Sequence, residues 1–276
     1  MQAELTSESK TTNPFSPREK AAQYTKGRPD FPDEVYQYIT DTFSLTAEAP
    51  TKRLLDLGTG TGELSLPLAP YFQEVVAVDP SAAMLAEAQQ KATARECGNI
   101  HFIKAKAEEL NPEQLGQFDL ITIANAYHWM DPRQLDPLLK SLLKPEGSII
   151  FVTSYASFWR QNTEWQKKMW TVINKNFLEE EITALQEAID NYSTEWHKAL
   201  NPEQFKSTQV HHVKLERLWT CPKLLDFLYS ISSISAKKME ARQATFEKQI
   251  ELGVFGGSTS TVCSEPCDMP IVVAKL

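Results

Sequence analysis

The sequence predicts an α/β fold, with a mostly parallel sheet, helices on both faces and an antiparallel last strand. Three observations predict it. First, short apolar runs at Arg53–Leu57, 74–79, 99–104, Phe118–Ala124 and 148–154 alternate with longer stretches of helical period. That is the pattern of strands buried on both faces and joined by crossover helices. Second, the first run passes into a helical stretch through Gly58, Gly60 and Gly62. A strand that turns through glycines into a helix brings backbone N–H groups close to a ligand. Third, the second run ends in Asp79, 17 residues beyond Gly62. In doubly wound sheets an acid at this place accepts hydrogen bonds from ribose hydroxyls.

In chain order, residues 1–12 are polar and predicted disordered, and 16–24 is a helical candidate broken by the segment 24–32, YTKGRPDFP. An amphipathic helix is predicted over 33–43. The turn reads D-x-G-x-G-x-G from Asp56 to Gly62, with Thr59 between the first two glycines. A dinucleotide fingerprint started at Gly58 would need its third glycine at Glu63, where a side chain obstructs strand–helix packing, so a nicotinamide cofactor is disfavoured. Pro80 and Ser81 follow Asp79, with Ser81 as the cap of a helix over 81–94 that carries Met84 in its first turn. The third run meets Ala107 and Glu108, and the fourth ends in Asn125, Ala126, Tyr127, His128 and Trp129, at the strand end where open α/β sheets bind ligands. A helix over 131–143 opens on Asp-Pro, and 144–147 reads as a tight turn before the fifth strand.

Beyond residue 155 the pattern changes to aromatic-rich helices over 162–177 and 179–191. A sixth strand over 208–220, helices over 221–235 and 237–252 and a last strand over 269–276, placed beside the sixth, follow. His211 and His212 are neighbours on a strand and face opposite sides, so they form no metal pair. Cys97, Cys221, Cys263 and Cys267 are scattered without a zinc spacing, and no metal is expected. The net charge of −8 argues against a phosphate-backbone ligand. No apolar run is long enough for a bilayer, and the cysteine usage suits a reducing, cytoplasmic setting.

The stretches LLDLGTGTGELSLPLA and VVAVDPSAAMLAEAQQ resemble the class I S-adenosylmethionine-dependent methyltransferases, in particular the small-molecule branch that includes trans-aconitate methyltransferase. The resemblance is good over about 15–152 and looser beyond. It implies a Rossmann-like, seven-stranded sheet, S-adenosylmethionine as cofactor and S-adenosylhomocysteine as product. It implies a tail and lid over 1–32, a cofactor-binding core over 33–154 and a helical substrate cap over 155–205. Residues 206–276 would complete the core, with cap helices inserted over 221–252 and a serine pair, Ser232 and Ser233, closing over substrate.

By the same resemblance, Tyr24 and Arg28 reach the methionine carboxylate; Asp56, Gly58, Thr59, Gly60, Gly62, Asp79, Pro80 and Met84 surround the ribose and the glycine turn. Ala107 and Glu108 meet adenine, although Lys106 stands where the family carries an acid. Asn125, Ala126 and Trp129 wall the methionine side, while Tyr127 and His128 are the catalytic candidates, His128 as a general base. The implied reaction is O-methylation of a carboxylate or hydroxyl on a small molecule, by a monomer or homodimer. A nucleic-acid or protein methyltransferase and a silent cofactor-binding protein remain as alternatives.

Overall fold

The computed structural model describes residues 18–155, 157–190, 205–231, 234, 240–258 and 260–276. Among them, seven strands form one sheet in the order β3-β2-β1-β4-β5-β7-β6. The strands are β1 (Arg53–Leu57), β2 (Glu74–Val78), β3 (Ile100–Ile103), β4 (Phe118–Ala124), β5 (Leu143–Val152), β6 (Ser207–Trp219) and β7 (Cys263–Lys275). β1 to β5 run parallel, and β7 is antiparallel to both β5 and β6. The fold is the expected Rossmann-like sheet with an antiparallel end.

The helices are α1 (Arg18–Gly27), α2 (Asp33–Thr42), α3 (Ser65–Leu68), α4 (Ala82–Ala94), α5 (Pro112–Leu115), α6 (Pro132–Leu142), α7 (Glu164–Asn176), α8 (Glu179–Asp190), α9 (Cys221–Ser230) and α10 (Gln243–Phe255). Strand residues alternate between the two faces. Leu55, Leu57, Ile121, Ile123, Ile149 and Phe151 pack under Leu135, Leu139 and Leu142 of α6. Leu54, Val75, Leu120, Ile150 and Val152 pack on the other face with Val35 and Ile39 of α2 and Leu64 and Leu68. Burial of these aliphatic side chains, each contributing about 1.5–3 kcal/mol, holds the two layers on the sheet.

A third core lies off the sheet, where Phe158, Trp159, Trp165, Met169 and Trp170 meet Phe227, Leu228 and Phe246. This helical layer is built from α7, α9 and α10, with Leu185 of α8 in the same core. Trp196, Ser232, Ser233 and the tail up to residue 17 lie outside the described residues.

Several element limits differ from expectation. α1 continues past Tyr24 to Gly27, because it packs along α9 instead of breaking into a linker. The segment 144–147 lies inside β5, which slips register against β4 between Phe118 and Leu120. β7 begins six residues before the predicted strand, at Cys263, with Pro266 opposite Glu216 and Pro270 opposite His212. Proline cannot donate to a strand ladder, so its presence hid a strand that lies between two neighbours.

Candidate functional site

The site is built on the turn between β1 and α3. Gly58, Gly60 and Gly62 have φ of +68°, +58° and +86°, a region that L side chains rarely enter. Gly58 is also packed: a Cβ there would stand 2.5 Å from the Ala126 Cβ. The turn is tied to the sheet by the Thr59 N–H, which donates to the Val78 carbonyl at 2.9 Å. Glu63, in the position of a missing third glycine, is held by Lys91 at 3.3 Å, and its carbonyl accepts from the Tyr36 hydroxyl at 2.9 Å. A side chain is therefore accommodated here by turning it onto α4, away from the strand–helix contact.

Asp79 stands across from the turn. One carboxylate oxygen accepts from the Gly60 N–H at 3.0 Å and the other from the Ser81 N–H at 2.8 Å. These bonds fix the carboxylate plane while each oxygen keeps a lone pair. Asp79 is 8% exposed, and burial raises its pKa against the pull of the two N–H donors. Ser81 caps α4 by accepting from the Met84 N–H at 3.3 Å, and Met84 is buried while Pro80 is exposed.

The loop after β4 forms the opposite wall. Asn125 has φ of +51°, held by a two-way clasp: its amide donates to the Ser154 hydroxyl at 2.9 Å and its carbonyl oxygen accepts from the Ser154 N–H at 3.0 Å. This places the buried Ala126 methyl against Gly58. Ala107 is buried at the neighbouring strand end, and Glu108 accepts from the Asp131 N–H at 2.8 Å, joining the β3 and β4 loops.

Three of the predicted site residues sit differently from expectation. Asp56 lies beneath the turn and not around the ribose, the place expected for it. It is 1% exposed and accepts from the Thr122 hydroxyl at 2.7 Å, beside the bonded hydroxyls of Thr59 and Ser65. Burial pushes its pKa up to about 6. Its place beneath the turn makes it a support for the loop. Tyr127 donates its hydroxyl to Asp136 of α6 at 2.9 Å and sets its ring edge against Phe151. Burial and the Asp136 carboxylate raise its pKa, so it stays a phenol and anchors the loop to α6. Trp129 is 57% exposed and lies at the rim, its ring 5.0 Å from that of His128.

His128 lies on the inner side. Burial, and then the nearby Arg28 cation, push its pKa down to about 4. Its folded pKa lies below the ordinary 6.5, so the folded state takes the proton less readily than the unfolded chain does. The native protein is therefore expected to lose stability relative to His128→Gln as pH falls from 6.5 to 4, and not above 6.5. Paired thermal melts across this range check the sign.

Arg28 is held by three rings. Its guanidinium carbon lies 5.0 Å from the Tyr24 ring centroid, 4.5 Å from Tyr155 and 5.2 Å from Phe227. Such contacts stabilise a cation in apolar surroundings. It borders a narrow pocket of about 10 Å³, room for about one water, whose other walls include Tyr155, Trp159, Leu185, Phe227 and Ile231. Tyr155 and Phe227 gave no signal in the sequence, being 127 and 199 residues from Arg28. They are brought to it by docking α1 on α9, where Lys26 pairs with Asp226 at 2.8 Å and the Gln23 amide donates to the Asp226 carbonyl at 3.2 Å.

The glycine cradle and the anchored acid fit a nucleoside-bearing ligand, and a family model described as a methyltransferase domain matches residues 54–147, the span of this site. Over this span the chain is similar to S-adenosylmethionine-dependent methyltransferases. It is 32% identical over 133 residues to a Saccharomyces cerevisiae protein named probable S-adenosylmethionine-dependent methyltransferase CRG1, covering 48% of this chain and 44% of that one. The chain thus spans under half the length of that relative. It is 29% identical over 201 residues to the malonyl-[acyl-carrier protein] O-methyltransferase of Paenibacillus, covering 70% and 69%. A structure from Anaeromyxobacter dehalogenans described as a type II methyltransferase shares the fold with a TM-score of 0.62 at 20% identity, over 90% of this chain and 96% of its own. No helix among the described residues is long and apolar enough to cross a membrane.

Proposed function

We propose that this methyltransferase transfers the methyl group of S-adenosylmethionine to a carboxylate oxygen of a small molecule. The observation that carries the reading is the Arg28 guanidinium, caged by aromatic rings at the edge of a narrow apolar pocket beside His128. Arginine matches a carboxylate through paired N–H donors. On this reading the acceptor's carboxylate meets Arg28 beneath the helical layer, which serves as its cap.

Donor binding is assigned to the strand ends. Asp79 takes the ribose hydroxyls, and the backbone of Gly58 to Gly62 approaches the ligand where side chains would obstruct it. Pro80, Met84, Ala107 and Glu108 border the base, and Asn125, Ala126 and Trp129 flank the methionine part. The cofactor supplies a sulfonium-activated methyl group. The acceptor oxygen forms the new O–C bond as the C–S bond breaks, and the anion and cation become a neutral ester and a neutral thioether. A step that destroys both charges is favoured in apolar surroundings, which Tyr155, Trp159 and Phe227 supply. The chain's own part is to align the reactants and exclude water.

No base is needed for a carboxylate. A hydroxyl acceptor would need one, and His128, with a pKa of about 4, is far from the neutral value that suits a general base. The O-methyltransferase from Paenibacillus, named for a malonyl acceptor, supports an oxygen-directed reading.

Arg28→Met is expected to raise KM for carboxylate acceptors about 50-fold, the loss of a charge-assisted contact of roughly 2.4 kcal/mol. S-adenosylhomocysteine affinity should stay within about threefold. A screen of organic acids with labelled donor, followed by calorimetry, tests this. Weakened S-adenosylhomocysteine binding with unchanged acceptor KM would move Arg28 to the methionine carboxylate. Turnover of phenols but not acids would overturn the carboxylate reading.

A further inference from the structure

Glu265 on β7 is fully buried, yet it lies outside the donor and acceptor sites described above. One oxygen accepts from the Ser157 hydroxyl at 2.9 Å. The other accepts from the Trp219 indole N–H at 2.7 Å and from Arg217 at 3.3 Å. Arg217 is itself largely buried, and its second terminal nitrogen donates to the Ser154 carbonyl at 3.3 Å. Ser154 is the residue that clasps Asn125 in its left-handed conformation, and Asn125 sets Ala126 against Gly58. The same guanidinium lies 5.7 Å from the Tyr155 ring, which Arg28 also contacts.

We infer that Glu265 is a positioning residue for donor binding, acting through Arg217 and Ser154 on the Asn125 loop. A buried carboxylate fixes where the Arg217 fork points. The fork fixes the Ser154 carbonyl, and through it the height of the serine clasp at the end of β5. The clasp holds Asn125 in a conformation that costs a non-glycine residue energy. Without it the loop relaxes and Ala126 leaves Gly58, opening the wall of the donor site. The path is continuous from an antiparallel strand to the parallel strand ends, and every link is a contact described above. Because Arg217 also touches Tyr155, it joins the surroundings of Arg28 to the donor loop. The inference rests on the donor-site assignment made above.

Calorimetry of the full chain with S-adenosylhomocysteine tests it. Glu265→Gln and Ser154→Ala are each expected to raise Kd about tenfold. The double variant should be no weaker than about tenfold, since both act on one path. Trp219→Phe removes the other donor to the same Glu265 oxygen while keeping an aromatic ring beside Arg217, whose guanidinium lies 5.8 Å from the Trp219 ring. It should lower the melting temperature yet leave Kd within twofold. If Glu265→Gln alone fails to fold, Arg217→Met combined with Glu265→Gln leaves no lone buried charge and carries the same expectation. The inference is overturned if Glu265→Gln binds within twofold of the native protein, if the two effects multiply, or if Trp219→Phe weakens binding as much. A native protein that gave no heat would instead remove the donor-site assignment.

Discussion

Gly58→Ala is expected to weaken S-adenosylhomocysteine binding at least 100-fold while leaving the sheet folded. Two costs combine. The backbone at Gly58 has φ of +68°, which costs an L residue about 1–2 kcal/mol. The new Cβ would also stand 2.5 Å from the Ala126 Cβ, closer than carbon atoms pack, so the Asn125 loop must move. Together they reach about 3 kcal/mol, above two factors of ten. Ala126→Gly in the same protein removes the clash but not the backbone strain, and should restore about tenfold. Gly60→Ala makes the contrast, since its Cβ would meet only the Glu63 carboxylate, at 3.5 Å. Calorimetry of the four proteins checks the order, and equal losses at Gly58 and Gly60 would refute the packing argument.

Gly27→Ala should release α1 from α9. A Cβ at Gly27 would lie 2.1 Å from the backbone oxygen of Asp226 and 2.8 Å from the Ser230 Cβ. Neither atom is the end of a flexible side chain, so the helices must separate. Overpacking of this kind costs roughly 3 kcal/mol, which raises the open population about 100-fold. Limited proteolysis should then cut within α1 about 100 times faster, while the sheet core resists. Arg28 follows directly on Gly27, so turnover should fall in the same variant with less effect on donor affinity. Unchanged cleavage of α1 would show that the α1–α9 contact tolerates a methyl group.

The half of the molecule to which donor binding is proposed was legible because its signals are local. Strand, turn and helix follow one another within Arg53–Leu68, and the acid that faces the turn ends the next strand. Each step is a period, a glycine or a cap, all of which act over a few residues. The surroundings of Arg28, where the acceptor is proposed, were not legible. The rings that cage Arg28 and the carboxylate that orients Arg217 are brought close only by tertiary packing. Pro266 shortened the apparent last strand, and with it Glu265 fell outside any predicted element. Tyr127 misled for a related reason. Its place in the motif suggested chemistry, but an acid one helix away, Asp136, claims its hydroxyl.

The docking of α1 on α9 also sets an order of assembly during synthesis. Gln23 and the Asp226 carbonyl it binds are 203 residues apart. The Arg28-bearing segment therefore leaves the ribosome long before its partner helix exists. β5 waits similarly, with one backbone edge open until β7 pairs with it. An open strand edge invites mispairing in a nascent chain. The helix that carries the segment up to Arg28 is thus made long before the helix it docks on, and is among the last to find its place. Slow translation after β5 would prolong the time for which both surfaces stay uncovered.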